Sequence, residues 1–313
     1  MRMTECGRVG VLAGGPSAEH EISLKSGDAV LRALVSIGCD AKLIRLSENY
    51  RRELDSLDAD TVFITLHGGI GEDGTVQGIL EKMDIPYTGS GPEASRLALD
   101  KLASRRIFES QGLTVPEYFT AHKEITAREM KGFGLPVVIK PVAEGSSFGL
   151  SVVRSESEID MAFMKAFKYG RPVLVEKFIE GRELTVGILG GKPLPVVEIV
   201  PREDVYDYNA KYTDRDTKYI VPAEIPAAQA ASAGAAALKA HSVLGCRDFS
   251  RVDIRLDKSG NVFVLEVNTI PGMTERSLLP KAAQVTGMSF EGLCGEILRM
   301  AIRRDIRQRA MEQ

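Results

Sequence analysis

Asp253, Glu266 and Asn268 stand in two short, mostly apolar runs, residues 250–256 (SRVDIRL) and 262–268 (VFVLEVN). Both runs read as strands, and the intervening Asp257-Lys258-Ser259-Gly260 has the composition of a hairpin turn. Side chains alternate along a strand, so Arg251 and Asp253 share one face, and Glu266 and Asn268 share a face of the partner. A hairpin that aligns those faces gathers three oxygen donors and one guanidinium on a single patch. Carboxylate and amide oxygens suit a hard cation such as magnesium, which takes few protein ligands and binds substrate phosphates as well. Glu266 interrupts an otherwise apolar strand, where a charge without a partner is costly. The plainer alternative is an edge strand whose polar residues face water. Directly beyond, residues 269–278 (TIPGMTERSL) contain a Pro-Gly turn. Its free backbone amides are suited to a developing oxyanion, a role worth roughly 10²–10³ in rate for one donor.

A second group of residues has the chemistry of a phosphate grip. Residues 144–149 (EGSSFG) form a glycine-serine loop, and Lys140 ends the apolar run before it. Close backbone amides and a lysine are a common phosphate-binding pair. The loop is not a P-loop, because no G-x-x-x-x-G-K-[ST] string occurs. Residues 176–179 (EKFI) end another apolar run, and such a strand-to-linker segment offers backbone groups to an adenine edge. Gly14-Gly15 follows the first strand, but G-x-G-x-x-G is absent, which argues against dinucleotide binding. Together these residues point to an enzyme that uses magnesium-ATP.

The elements that must position them follow from periodicity. Residues 8–12, 40–46 and 61–66 read as strands, with a helix over 22–38, a βαβ pattern that predicts a mostly parallel sheet. A helix over 100–111 opens a second lobe, followed by strands over 135–140, 150–153 and 171–179, the first two forming a hairpin around the glycine-serine loop. The third lobe begins with strands over 183–189 and 195–200. The polar stretch 201–218 reads as an active-site lid. An alanine-rich helix over 227–244, the metal-site hairpin and a closing helix over 289–303 complete it. The expected division is 1–98, 99–182 and 183–313, and the fold class is α/β.

At 313 residues, 44% hydrophobic and 27% charged, the chain has the composition of a globular protein with more than one core. A net charge of −3 supplies no basic field for nucleic acid or an anionic membrane. No apolar run approaches the roughly 20 residues that span a bilayer. The four cysteines are scattered and form no C-x-x-C. They read as thiols of a reducing compartment, and the polar N-terminus carries no signal peptide, so the expected location is cytoplasmic.

With these pieces in order, the sequence closely resembles the D-alanine–D-alanine ligases of the ATP-grasp superfamily over nearly the whole chain. The resemblance rests on GGPSAEHEISLKSG (14–27), HGGIGEDGTVQG (67–78), PYTGSG (86–91), DK (100–101), VIKPVAEGSSFGLS (138–151), YDYNAKY (206–212), RVD (251–253) and EVNTIPGMTERSL (266–278). It implies an ATP-grasp fold preceded by an N-terminal Rossmann-like lobe. It further implies that Lys101 and Lys140 contact phosphates, that Glu176, Lys177 and Ile179 meet the adenine and Glu183 the ribose, and that Lys211 reaches the γ-phosphate. Asp253, Glu266 and Asn268 would hold two magnesium ions, with manganese as a substitute. Arg251 and the amide of Gly272 would stabilise a tetrahedral oxyanion. Ser277 and Leu278 would hold the second substrate's carboxylate, and Glu19 the first substrate's amine near His67. Glu19, Ser146 and Tyr212 would bond across the lobes to close the site. A plainer role for Glu19 is to cap the helix that follows it. The resemblance also implies D-alanine as substrate and a homodimer. Phe148 departs from the family, which usually has valine there, and Glu275-Arg276 sets opposite charges beside the acceptor pocket. The competing expectations are a D-alanyl-D-lactate or D-alanyl-D-serine ligase, which Tyr212 disfavours, and an inactive ATP-binding regulator.

Overall fold

The computed structural model describes residues 6–125, 130, 132–201 and 217–311. The chain begins with β1 (Arg8–Gly14), α1 (His20–Ser36), β2 (Asp40–Leu46), α2 (Tyr50–Asp55), β3 (Thr61–Ile64), α3 (Thr75–Lys82) and α4 (Pro92–Leu99). The strands pair in parallel in the order β2-β1-β3. The continuous apolar run of β1 explains this, since Val9, Val11, Leu12 and Ala13 are all buried and both faces of the strand are covered.

The chain continues with α5 (Lys101–Ser110), β4 (Tyr118–Ala121), β5 (Val137–Pro141), β6 (Ser151–Val153), α6 (Ile159–Phe167) and β7 (Val173–Lys177). Here the strands are antiparallel, in the order β4-β7-β5-β6, and β5 and β6 form the expected hairpin. Asp100 caps α5 by accepting the amides of Leu102 and Ala103 at 3.0 and 2.9 Å. That cap fixes where Lys101 leaves the chain.

The last part comprises β8 (Gly181–Leu189), β9 (Lys192–Pro193), β10 (Val197–Val200), β11 (Lys218–Ile220), α7 (Ala227–Val243), β12 (Phe249–Asp257), β13 (Val262–Asn268), α8 (Leu278–Gln284) and α9 (Phe290–Met311). Its sheet runs β11-β10-β8-β12-β13, with β9 paired to β8. The alanines of α7 let it lie close to that sheet, where Ala233, Ala237 and Ala240 pack with Val186, Val252 and Val264. Because β8 starts at Gly181, the expected boundary at 182/183 falls inside its first residues.

Helix α9 runs on to Met311, past the expected end at residue 303. Its last turns carry few apolar residues, and ion pairs hold them instead: Arg309 to Asp305 on the helix and Arg304 to Asp248 beyond it. Residues 202–216, most of the expected lid, lie outside the described residues. Among the described residues no helix is long and apolar enough to cross a membrane.

Candidate active site

A cleft of about 840 Å³ opens between the β4–β7 sheet and the β8–β13 sheet. On its C-terminal wall the antiparallel register sets Asp253 opposite Glu266 and Arg251 opposite Asn268. Regular alternation would set Asp253 opposite Leu265; a β-bulge, where the register shifts between Asp253 and Ile254, instead brings Glu266 opposite Asp253 and gathers all four on one face. The Asp253 carboxylate accepts from Thr185 Oγ1 at 2.6 Å, from Arg251 Nε and Nη2 at 2.9 Å each, and from Asn268 Nδ2 at 3.0 Å. Glu266 lies 3.3 Å from Lys101 Nζ. Among the described residues no group of three His, Cys, Asp or Glu forms a metal cluster. Two carboxylates and an amide oxygen on one strand pair nevertheless fit magnesium, which needs few protein ligands and no nitrogen or sulfur. β13 is also an edge strand, so its polar residues are only partly buried.

The opposite wall carries cations. Val138 pairs with Glu176 and Lys140 with Leu174, so Val138, Lys140 and Glu176 share the cleft face of the β5–β7 ladder. Lys140 Nζ donates to Glu176 Oε1 at 2.6 Å, and Arg105 from α5 pairs with the other carboxylate oxygen. All three are buried. Burial pushes the Glu176 carboxyl up, but Arg105 and then Lys140 outweigh it and hold it below the usual carboxylate range. Burial lowers Lys140, with Glu176 opposing. Glu176, matched by resemblance to adenine, is the counter-ion of Lys140 in this geometry. The Nε and Nη1 atoms of Arg105 are buried with no hydrogen-bond partner among the described residues, and its guanidinium lies 5.5 Å from the Tyr118 ring.

Lys101, Lys177, Ile179 and Glu183, expected from the resemblance to meet the nucleotide, line the same cleft. Lys101 Nζ donates to the carbonyl of Glu144 at 2.6 Å, tying α5 to the glycine-serine loop. Lys177 Nζ donates to the Phe133 carbonyl. Arg255 donates to the Ile179 carbonyl and to Glu183 at 3.1 Å each, bracing the linker. Val138, Leu150 and Val152 on one side and Leu265 on the other make an apolar slot. Phe148 lines the cleft too, its ring 6.0 Å from Tyr169.

The first lobe closes one end. Glu19 sits at the N-cap position of α1, yet its side chain makes no capping bond. Instead it accepts from Ser146 Oγ, 127 residues away. A Cβ on Gly68 would lie 2.8 Å, and one on Gly145 3.2 Å, from Glu19 Oε2, so a side chain at either position would crowd the carboxylate where it now lies. Ser146 and Ser147 hold φ of +48° and +60°, which is unfavourable for residues with a side chain. His67 is buried, with Nε2 2.9 Å from Ser26 Oγ and Nδ1 3.0 Å from the Ile270 carbonyl. Burial lowers its pKa from the ordinary value, with Glu19 opposing. Ser277 Oγ accepts from the Thr274 amide at 3.1 Å, and Ser277 and Leu278 begin α8. Tyr212 and Lys211 lie outside the described residues.

Four residues of the site were not singled out from sequence. Thr185 fixes Asp253 from the neighbouring strand, and Arg105 neutralises Glu176. Ser26 meets His67, and burial followed by Glu19 raises Glu72 to about 8. Only Arg105 carried a signal, since it lies one helical turn beyond Lys101 on the buried face of α5.

The model of the D-ala D-ala ligase C-terminus matches residues 107–299, and that of the D-ala D-ala ligase N-terminus residues 40–90. The D-alanine–D-alanine ligase of Citrifermentans bemidjiense is 48% identical over 94% of this chain and 96% of its own. The crystal structure of the Bacillus anthracis D-alanine–D-alanine ligase superposes with a TM-score of 0.86 at 35% identity, covering 96% of this chain and 99% of that one. Its complex with ATP gives 0.84 at 34%, over 96% and 98%. The VanG D-Ala:D-Ser ligase of Enterococcus faecalis gives 0.81 at 30%, over 94% and 99%.

Proposed function

The chain belongs to the D-alanine–D-alanine ligase family, and from that premise we propose how its cleft joins two D-alanines at the expense of ATP. The fold is the ATP-grasp fold with an N-terminal parallel-sheet lobe, and the chain is an ATP-dependent ligase of peptidoglycan synthesis. The single observation that carries the site reading is the facing of Asp253 and Glu266, with Lys101 beside Glu266 and Lys140 across the cleft.

In this reading the adenine occupies the slot between Val138 and Leu265, and Lys101 and Lys140 hold the phosphates. Asp253, Glu266 and Asn268 would hold two magnesium ions, whose charge offsets that of the phosphate oxygens. Glu19 receives the ammonium of the first D-alanine. The carboxylate of that D-alanine attacks the γ-phosphorus, the bond to the β-phosphate breaks, and a D-alanyl phosphate and ADP form. A carboxylate is a poor electrophile, and phosphorylation provides the leaving group. The second D-alanine is held by Ser277 and Leu278 at its carboxylate. Its ammonium gives one proton to solvent before closure, the amine attacks the acyl carbon, and the tetrahedral oxyanion meets Arg251 and the Gly272 amide. Collapse breaks the bond to phosphate, the departing phosphate takes the second proton from the attacking nitrogen, and the neutral amide of the dipeptide remains. Water would hydrolyse the acyl phosphate, so the 201–218 segment, carrying Lys211 and Tyr212, is assigned as the lid. The division into lobes near residues 98 and 182, a homodimeric assembly and a cytoplasmic location, where ATP is available, belong to the same reading.

The test is phosphate release from ATP with a panel of D- and L-amino acids and D-lactate. Release with D-alanine alone, yielding the dipeptide, is expected. Release that requires D-lactate or D-serine as acceptor would overturn the choice of second substrate, and no release with any of them would favour an inactive ATP-binding protein.

A further inference from the structure

Gly272 lies between two positions that the first lobe holds. The Ile270 carbonyl accepts from His67 Nδ1 at 3.0 Å, and the Met273 amide donates to Ser26 Oγ at 3.3 Å. Ser26 Oγ in turn lies 2.9 Å from His67 Nε2. Ser26 is completely buried, as is Met273, and His67 and Ile270 are nearly so. The bond directions follow from the donors available. A carbonyl only accepts, so Nδ1 carries the proton. In a neutral ring Nε2 is then an acceptor, and the Ser26 hydroxyl must donate to it. The lone pairs of that same oxygen remain for the Met273 amide. One arrangement satisfies every group, and it holds the imidazole neutral. The ring faces Glu19 and Arg251, and burial keeps it in that form by lowering its pKa. The backbone of His67 is itself anchored, its carbonyl accepting from Ser17 Oγ at 2.6 Å.

We propose that Ser26, working through His67, is a positioning residue that sets the Ile270–Met273 turn so that the Gly272 amide points at the tetrahedral oxyanion. The inference rests on the reading of Gly272 given above. It assigns the SLKS segment of α1 a role in the second half-reaction, although α1 belongs to the lobe that receives the first substrate. An oxyanion donor works only when aligned, and a displacement near 1 Å costs about a hundredfold in rate. Ser26→Ala leaves the Met273 amide without its acceptor and His67 Nε2 without its donor, so the turn loses one of its two anchors.

The experiment compares Ser26→Ala with Gly272→Ala, whose added Cβ would lie 3.0 Å from Ser277 Oγ and disturb the turn directly. Each variant is measured for kcat, for KM towards ATP and the first D-alanine, and for D-alanine-dependent scrambling of an oxygen label within ATP, which reports D-alanyl phosphate formation alone. The expected result for Ser26→Ala is a kcat lowered about tenfold to hundredfold, both KM values within about twofold and label scrambling retained. His67→Asn, which removes the ring and keeps Ser26, should show the same split and replaces the first variant if that one fails to fold. A kcat unchanged in Ser26→Ala but reduced in Gly272→Ala would refute the positioning role while leaving the oxyanion reading intact. Wild-type kcat in Gly272→Ala would remove the oxyanion reading and the inference with it. A raised KM for the first D-alanine at unchanged kcat would show instead that this pair serves substrate binding.

Discussion

The two walls of the cleft are built on opposite electrostatic plans. On the central wall Glu176, Lys140 and Arg105 are buried and bonded to one another, so the cations are fixed before any ligand arrives. On the C-terminal wall Asp253, Glu266 and Asn268 stand partly exposed on an edge hairpin and present oxygens. The difference teaches a division of labour. In the proposed reading, one wall supplies positive charge for a polyphosphate, and the other would leave acceptors for cations that arrive with the nucleotide. Arg251, partly exposed, and Lys101, buried beside Glu266, balance the second wall.

The largest effect expected from this contrast is on turnover. Asp253→Asn keeps the shape and the bonds from Thr185 while removing a charge, so phosphate release should fall roughly 10³-fold or more with the melting temperature little changed. Activity near wild type would break the assignment of that wall. Glu176→Gln should do the reverse and strike stability first. It leaves Arg105 and Lys140 as neighbouring buried cations without their shared anion, a loss of about 3–5 kcal/mol by the measure of other broken buried pairs. Denaturant unfolding checks it, and a loss below about 1 kcal/mol would mean the central wall is not preorganised by this charge cluster.

A smaller effect concerns the support beneath the C-terminal wall. His241 is buried under β12, 2.7 Å from Ser250 Oγ, and burial lowers its pKa to about 4, with Asp248 opposing. The unfolded imidazole titrates near 6.5, so between pH 6.5 and 4 the unfolded chain binds a proton that the folded one refuses. Stability therefore falls as pH drops through that window, by roughly 1.4 kcal/mol per unit and about 3 kcal/mol in all. His241→Asn should flatten that part of the profile in urea titrations from pH 7 to 4. An unchanged slope would remove His241 as its source.

Much of this molecule was legible where a local pattern carries the information. The period of two in SRVDIRL and VFVLEVN puts Arg251 with Asp253, and Glu266 with Asn268, on shared faces, but the β-bulge that sets Asp253 opposite Glu266 leaves no mark in that pattern. Lys140 at a strand end before a glycine-serine loop is legible from local pattern alone. What stayed hidden depends on distance along the chain. Arg105 meets Glu176 across 71 residues, and His67 meets Ile270 across 203, and no spacing rule anticipates either contact. The plainer reading of Glu19 as a helix cap had the right position and the wrong partner, since the carboxylate turns to Ser146 rather than to its own helix. Apolar periodicity ends α9 at residue 303, whereas the helix runs to Met311 because its last turns depend on ion pairs.

The central claim is that the C-terminal wall supplies the metal ligands for the nucleotide held by the central wall. Counting bound Mn²⁺ ions by electron paramagnetic resonance, with a non-hydrolysable ATP analogue present, tests it directly. Two ions in the wild type and at most one in Asp253→Asn, with the analogue still bound, is the result predicted. Two ions retained with unchanged affinity in that variant would contradict it.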